Sequence, residues 1–548
     1  MTSVRTMRWC VIPGAIFFIA LAANLIAGIT VIRHTEPPTG DQPYFLMTAI
    51  SIVEDGDIDE ANNYSINRSF DYFYPPMVEG GMTDPLLHLP PEYPGYPSDF
   101  KGILAFYPLW PENHIGPKPN RPSEEWYSKH PIGMPLLIAP VWALGTYLSS
   151  SVGALTYTGH GGWPAVVFEM NILAALLALE LFLLIKVVLA GAGGGIKSIN
   201  RWAAFLALTF SLTAPIIAYS SLVFPEIPAA LLVTAIFRRI IENRFSGSAI
   251  RSVFVALLIA ALILLHQRFA PLAAGLALIA LLRFKETFRS DARPAAYFIV
   301  TLAVAGAFFL LFQFWLYGSF FQSVDDHGGF VYPLASQESF RSFGLALFGL
   351  FFDQKWGLVL YNPLYAVLPF GVFIMLKQPA LRPLLYKVLI PLLPYFLLIA
   401  IYKVWWGEWG PPGRYLVAIT PLLIVPISAG IYKVASSIAA RGIFTILAGG
   451  AFIFAFALIF GLTKRGPADI PTLFNHSFGP ASALSWIEGR IPVDLHALTV
   501  PVVDLHVVLS EPLPTLKIWI TLALCLVLNT IMCLISLRTQ CSTARSGE

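Results

Sequence analysis

The chain has 548 residues, of which 56% are hydrophobic and only 12% are charged, and its formal net charge is +3 at pH 7. This composition is too apolar for a soluble protein of that length and shows no nucleic-acid footprint, so we expect a polytopic membrane protein. The four cysteines, Cys10, Cys525, Cys533 and Cys541, fall in predicted membrane helices or in the tail. Neither a disulfide framework nor a CxxC metal site is therefore expected.

Hydrophobic runs predict an all-α membrane protein with about twelve transmembrane helices, judged against the roughly 20 residues that a bilayer core requires. The first run, residues 9–32, has no small-residue cleavage site, so we interpret it as a permanent helix rather than a signal peptide. The predicted spans are 9–32, 163–185, 202–219, 225–237, 252–265, 269–282, 295–317, 357–376, 388–402, 415–432, 443–462 and 518–537.

Basic residues predict the orientation of these spans. With both termini inside, the inner loops between Lys186 and Arg441 are rich in Lys and Arg, and their acids are Glu242, Glu286 and Asp291. Positive charge of this kind accumulates on the cytoplasmic side of a membrane. We therefore expect a multi-pass protein of the cytoplasmic (inner) membrane.

This topology divides the chain into five parts. They are the first transmembrane helix at 1–32, an outer loop with interfacial helices at 33–162, the helical bundle at 163–462, an outer segment at 463–516, and the last helix with a cytoplasmic tail at 517–548. Within the first outer loop, residues 72–122 are dense in Pro and Tyr and predict irregular loop. Residues 131–148 are apolar and interrupted by proline, so we expect them to lie along the outer interface. In the second outer segment, alternating apolar and polar residues predict a short hairpin.

Asp41 is the first candidate for chemistry. It lies in the sequence GDQPY at 40–44, just past the first helix, where membrane gives way to water. Pro43 follows closely, a geometry that can aim a carboxylate into a cavity. The alternative interpretation is an N-cap for the helix that begins near Pro43.

Three further stretches place polar residues at the same outer face. His130 opens a tight turn of Gly and Pro that either lines a cavity or simply starts an interfacial helix. Glu226 lies at the outer mouth of a short span, as a functional acid or as a helix cap. His266 and Arg268 occupy a tight outer turn. There the Arg268 side chain either binds an anion such as phosphate or extends to the lipid headgroups.

Two outer loops are more specific. Asp353 and Lys355 lie in the sequence GLFFDQKW at 349–356, and Glu408 and Arg414 lie in WWGEWGPPGR at 405–414. An aromatic belt explains the Trp residues but not the charged ones. A lipid-linked phosphate lies at this depth, and Lys355 and Arg414 carry the charge to bind it.

Metal binding has weaker support in the sequence. Residues 325–327 read DDH, and DLH occurs at 494–496 and again at 504–506, all with ligand-type side chains. Consecutive residues in a loop rarely converge on one ion, and period-two polar residues usually mark the solvent face of a strand. We assign no metal ligand and no certain cofactor, and we leave a divalent metal ion open.

The order of these motifs resembles the GT-C superfamily of membrane glycosyltransferases, particularly the branch related to protein mannosyltransferases and aminoarabinose transferases. The resemblance extends over most of the chain, through GDQPY at 40–44, His130 to Pro135, Pro225 and Glu226, residues 352–363, and residues 405–415. It implies that Asp41 is the catalytic carboxylate and that Lys355 and Arg414 hold the donor phosphate. Related sequences often have a second acid after the first, whereas here Gln42 follows Asp41.

The expected function is transfer of a sugar from a polyprenyl-phosphate donor to an acceptor hydroxyl on the extracytoplasmic face. The expected partners are that donor, a glycan, lipid or protein acceptor, and membrane lipids, with no nucleic acid. Substrate binding is assigned to Lys355, Arg414, Arg268, His266, Glu226, His130, Glu408 and Asp353. The alternatives are a lipid flippase or transporter, an O-antigen ligase or polymerase-like enzyme, and a non-catalytic scaffold.

Overall fold

The structure of the chain is a computed structural model. It describes residues 2–34, 41–60, 115–118, 121–149, 161–193, 195–243, 245–287, 291–320, 337–402, 405–407, 410–460 and 512–545.

The N-terminal half contains nine helices and one hairpin among these described residues. Its elements are α1 (Thr2–His34), α2 (Gln42–Glu54), β1 (Ile115–Lys118), β2 (Arg121–Ser128), α3 (Gly133–Tyr147), α4 (Gly162–Gly191), α5 (Ile196–Ser211), α6 (Ile216–Tyr219), α7 (Glu226–Ile241), α8 (Ala249–Leu265) and α9 (Ala270–Thr287). A short 3₁₀ turn, Gln267–Phe269, joins α8 to α9.

The described residues of the C-terminal half are also mostly helical. Its helices are α10 (Arg293–Tyr317), α11 (Gln337–Phe352), α12 (Leu358–Tyr361), α13 (Leu368–Lys377), α14 (Arg382–Ala400), α15 (Thr420–Val434), α16 (Ile438–Phe460) and α17 (Pro512–Arg545). Two 3₁₀ segments, Pro363–Val367 and Arg414–Ile419, lead into α13 and α15.

Eight helical segments of the described residues are long and apolar enough to cross a membrane. They are Val11–Ile32, Gly162–Gly191, Gln267–Lys285, Arg293–Tyr317, Arg382–Ala400, Arg414–Val434, Ile438–Phe460 and Leu516–Thr539. This confirms the prediction of an all-α, multi-pass membrane protein.

The predicted number of about twelve spans is not confirmed. The four remaining predicted spans, 202–219, 225–237, 252–265 and 357–376, coincide with helices that are shorter or interrupted. Prolines explain two of the interruptions, since Pro215 lies between α5 and α6 and Pro363 lies between α12 and α13. Proline lacks the N–H that would continue the helical hydrogen bonds.

The centre of the bundle is formed by α4 and α15. The segment Arg414–Val434, which contains α15, is 94% buried inside the protein, whereas the apolar windows of α10 and α17 are only 11% buried. Helix α4 packs against α1, α3, α5, α7 and α15. The outer helices α10 and α17 therefore present their apolar side chains to the surroundings of the bundle, as expected for helices in contact with lipid.

Small residues bring several helices into close contact. A Cβ atom at Gly28 of α1 would lie against Asn171 of α4, and one at Gly371 would lie 2.1 Å from the carbonyl oxygen of Pro426. Membrane helices lack a hydrophobic driving force for association, so close backbone approach of this kind is a main source of helix packing.

A cap at one end of the bundle contains α2, the hairpin and α3. Helix α2 packs on α3, which packs on α4, and the Tyr317 hydroxyl of α10 donates to the Ser128 carbonyl of β2 at 2.6 Å. Helix α3 matches the predicted interfacial segment 131–148. The antiparallel pair β1–β2 corrects the prediction of an irregular loop for the described residues up to 122. Proline is compatible with this hairpin because Pro117 lies on an edge strand, where its missing N–H is tolerated.

Candidate active site at the capped end of the bundle

Asp41 lies at the N-cap position of α2, but its side chain makes no capping hydrogen bond. Instead, Nη2 of Arg414 donates to Oδ2 of Asp41, across a sequence separation of 373 residues. The Asp41 side chain is 30% exposed and that of Arg414 only 9%. The carboxylate is thus committed to a long-range partner at the edge of the protein interior, which argues against the simple capping interpretation.

Arg414 begins a 3₁₀ turn directly after Gly413, whose φ of 74° is in the left-handed region that favours glycine. Its Nη1 donates to the Gly407 carbonyl at 3.3 Å, and its Nε donates to Oε1 of Glu226 at 3.4 Å. The guanidinium carbon lies 4.6 Å from the centre of the Phe224 ring. One guanidinium therefore contacts two of the predicted acids, Asp41 and Glu226.

Glu226 and Arg268 form the deepest part of the site. Nη2 of Arg268 donates to Oε1 of Glu226 at 2.6 Å. The Arg268 side chain is 6% exposed and the Glu226 side chain 1%. The Arg268 guanidinium also stacks over Tyr415, 4.9 Å from the ring centre. Arg268 does not extend to lipid headgroups, and the Glu226 carboxylate pairs with arginines instead of capping α7.

Four charged side chains thus form one connected group: Asp41, Glu226, Arg268 and Arg414. Their formal charges cancel, which lowers the cost of burying them together. The sequence predicted all four as site residues at one membrane face and predicted that Asp41 and Arg414 share one pocket, but it did not predict the contacts of Glu226 with the two arginines. The structure brings them together from α2, α7, the α8–α9 turn and the segment before α15.

The two predicted histidines lie beside this group. Nδ1 of His266 accepts from the Arg268 backbone N–H at 3.1 Å, and so caps the turn that carries Arg268. Burial lowers the pKa of His266 well below its ordinary value, and the nearby Arg268 and His130 add to this effect. His266 is therefore neutral, and because Nδ1 accepts, its Nε2 carries the hydrogen. The His130 ring stacks on Tyr44 of α2, with ring centres 5.1 Å apart.

Asp353 and Lys355 form the neighbouring loop. Oδ1 of Asp353 accepts from the backbone N–H groups of Lys355 at 2.7 Å and Trp356 at 2.9 Å, so this carboxylate fixes a turn. The Lys355 ammonium lies 5.5 Å from the centre of the Trp356 ring. The N–H of Gly413 donates to the Trp356 carbonyl at 2.9 Å, which joins this loop to the residue before Arg414. Glu408 lies outside the described residues.

Two positioning residues were missed by the sequence analysis. Oε1 of Gln42 accepts from the Val223 N–H at 2.8 Å, and so ties Asp41 to the loop that leads to Glu226. The Tyr219 hydroxyl donates to the Pro411 carbonyl at 2.7 Å and holds the loop before Arg414. The only signal for Gln42 was its position next to Asp41, where it was noted merely as the absence of a second acid.

The other predicted polar motifs lie elsewhere. Glu180, inside α4, forms a two-pronged ion pair with Arg238 in the last turn of α7, and so joins these two helices away from the site. The described residues contain no group of three His, Cys, Asp or Glu side chains placed to hold a metal ion. The DDH motif at 325–327 and the two DLH motifs lie outside the part of the chain that the structure describes.

Comparison with protein-family models gives no match to this chain, and comparison with curated proteins gives none either.

Proposed function

We propose that the protein is an integral membrane glycosyltransferase that moves a sugar from a polyprenyl-phosphate donor to an acceptor hydroxyl. The observation that supports this most strongly is the contact between Asp41 and Arg414, since it joins a carboxylate that follows the first candidate membrane span to a cation that begins another. A general base and a phosphate-binding group are the two elements that this transfer requires. The basic residues of the opposite loops support an extracytoplasmic position for the site.

The proposed reaction is a direct displacement. The oxygen of the acceptor hydroxyl forms a bond to the anomeric carbon, and the bond from that carbon to the phosphate oxygen breaks. The hydroxyl proton passes to Asp41, and the bonding electrons leave with the polyprenyl phosphate. Attack opposite the leaving group inverts the anomeric centre.

Stabilisation of the departing phosphate is assigned to the cations. Arg414 is nearly buried, and hydrogen bonds from a guanidinium to phosphate are strong where water is scarce. Lys355 lies in the adjoining loop and is the second donor-binding cation in this proposal. Because Arg414 also contacts Asp41, a bound phosphate would lie directly beside the base.

The test of the base is Asp41→Asn in purified, full-length protein reconstituted in nanodiscs. We expect loss of at least 10²-fold in transfer from decaprenyl-phosphate sugars, the range for removing a general base. Glu54→Gln, which changes an exposed acid at the other end of α2, is the matched control and should keep its activity. Transfer by Asp41→Asn at the wild-type rate would remove Asp41 from the mechanism.

The test of the phosphate site is Lys355→Ala, measured as affinity for decaprenyl phosphate. The matched control is Lys377→Ala at the end of α13, because Lys377 also lies over an aromatic ring, 5.7 Å from the centre of Phe373. We expect weaker binding in the Lys355 variant alone, by roughly tenfold for one lost charged hydrogen bond. Equal affinities in both variants would contradict the assignment of Lys355.

A further inference from the structure

The ion pair between Glu226 and Arg268 is only half formed. Nη2 of Arg268 donates to Oε1 of Glu226 at 2.6 Å, but Nε of Arg268 and Oε2 of Glu226 are buried and have no hydrogen-bond partner among the described residues. Both side chains are more than nine-tenths buried. Buried polar groups are almost always paired, so two orphaned atoms in one contact require an explanation.

A second glutamate–arginine pair in the same protein shows what a complete contact is like. In the last turn of α7, Arg238 donates to Glu180 from Nε at 2.7 Å and from Nη2 at 3.0 Å, and so uses both carboxylate oxygens. The same two nitrogens are available on Arg268, but only Nη2 is used. Oε1 of Glu226 is shared with Nε of Arg414 at 3.4 Å, so this carboxylate serves two arginines through a single oxygen.

The two unused atoms define the chemistry of a group that would pair with both of them. The Nε–H of Arg268 can only donate a hydrogen bond, and an ionised Glu226 can only accept one. A phosphate or carboxylate oxygen would satisfy the arginine but be repelled by Glu226, and an ammonium group would satisfy Glu226 but be repelled by Arg268. A hydroxyl group accepts and donates at once and satisfies both atoms.

We propose that Glu226 and Arg268 form a subsite for one hydroxyl group of the transferred sugar, distinct from the hydroxyl that reacts. This inference rests on the proposed function. Arg414 contacts both Asp41 and Glu226, so a sugar whose phosphate binds Arg414 has its ring beside the subsite. The subsite selects sugars that carry a hydroxyl at one ring position over deoxy sugars and over sugars with a charged amino group there.

The experiment measures binding and transfer of decaprenyl phosphate and of its mannose, galactose and glucose derivatives by the full-length protein in nanodiscs. The derivative that binds best is then compared with each of its monodeoxy analogues. In the wild-type protein we expect one analogue to bind roughly 10- to 100-fold more weakly than the parent sugar, because the missing hydroxyl leaves two buried charged groups unpaired. The other analogues should lose less.

Glu226→Gln supplies the complementary measurement, because an amide nitrogen in the place of Oε2 cannot accept a hydrogen bond from the sugar hydroxyl. The preference for the parent sugar over the discriminating analogue should fall below about threefold in this variant. Glu180→Gln is the matched control, since it alters a partly buried glutamate–arginine pair away from the site and should keep the preference. If Glu226→Gln fails to fold, the wild-type comparison decides alone.

The outcomes separate this inference from the proposed function. If decaprenyl phosphate binds but the parent sugar and every monodeoxy analogue bind wild type equally, the subsite is wrong and the glycosyltransferase proposal stands. If neither decaprenyl phosphate nor any of its sugar derivatives binds, the proposed function is wrong and the subsite fails with it.

Discussion

Two acidic residues at the capped end of the bundle have opposite surroundings. Asp41 is partly exposed and contacts the guanidinium of Arg414, which stabilises its charged form. Glu60 is fully buried, contacts the Thr48 hydroxyl, and has one carboxyl oxygen that finds no partner in the described part of the chain. Burial raises the pKa of Glu60 to about 8, so at neutral pH it is mostly an uncharged acid.

The first prediction at this scale concerns Glu60→Gln and pH. The folded protein holds the Glu60 proton until about pH 8, whereas the unfolded chain releases it near pH 4.5, so stability from this group is lost as pH rises between these values. The loss amounts to about 1.4 kcal/mol per pH unit. We expect thermal unfolding curves from pH 5 to pH 8 to show Glu60→Gln gaining stability relative to wild type as pH rises.

Comparing the two proteins isolates Glu60 from other titrating groups. His266, with its lowered pKa, contributes the opposite trend below about pH 6.5 in both proteins, and the comparison cancels it. Glu54→Gln at an exposed position is the control. A stability difference between Glu60→Gln and wild type that stays constant with pH would show that Glu60 is ionised throughout.

At the scale of elements, the site depends on segments that end or interrupt helices. The side chains of Asp41, Glu226, Arg268 and Arg414 all lie at the start of a helix or a 3₁₀ turn. The interrupted spans are fixed by specific hydrogen bonds: Nδ2 of Asn362 donates to the Thr213 hydroxyl and to the Ala214 carbonyl, both at 2.9 Å. The sequence YNP at 361–363 thus holds the break between α5 and α6 in place.

The prediction for these elements is that Gly133→Ala separates α3 from α8. A Cβ atom at Gly133 would lie 2.3 Å from the Leu264 carbonyl oxygen and 2.7 Å from the Leu265 nitrogen, atoms of the backbone that cannot move aside easily. We expect a loss of about 1–3 kcal/mol in stability, as for overpacked interiors. Reduced activity should accompany it, because His266 follows directly on α8.

The matched control is Gly306→Ala in the middle of α10. A Cβ atom there meets nothing within 4 Å, and alanine favours a helix over glycine by up to about 1 kcal/mol. Thermal unfolding of the two variants should therefore change in opposite directions. A Gly133→Ala protein as stable as wild type would mean that α3 and α8 are less closely packed than described.

For the whole molecule, the sequence correctly predicted the long membrane-spanning helices, because continuous apolar runs encode them. Eight long apolar runs became eight long helices, since their length and composition alone suit a membrane. The interrupted spans were harder to assign, because prolines such as Pro215 and Pro363 break a helix without changing how apolar the run is. The hairpin at 115–128 was missed because the proline content of this segment predicted an irregular loop instead of strands.

The candidate site was predicted as a set of residues but not as a network. Position at one membrane face identified Asp41, Glu226, Arg268 and Arg414. Nothing in the sequence indicated that Glu226 would serve two arginines, because contacts across hundreds of residues depend on how the helices pack. Gln42 escaped notice as a positioning residue for the same reason.

The prediction for the whole chain concerns orientation in the membrane. In a background without native cysteines, Glu54→Cys, at the end of α2, should react with a membrane-impermeant maleimide added to intact cells. Ile250→Cys, which replaces an 82% exposed residue at the start of α8, should react only after permeabilisation. The reverse pattern of labelling would place the candidate site in the cytoplasm.

The long-range contact of Arg414 also has a consequence for how the protein is made. Its partner Asp41 emerges from the ribosome 373 residues earlier, and Glu226 likewise precedes both arginines. During synthesis the two acids therefore enter the membrane before either of their cations exists. Contacts of such wide separation form late in folding. A chain that ends before Arg414 carries two acids of this group but only one of its arginines, so one negative charge is left uncompensated.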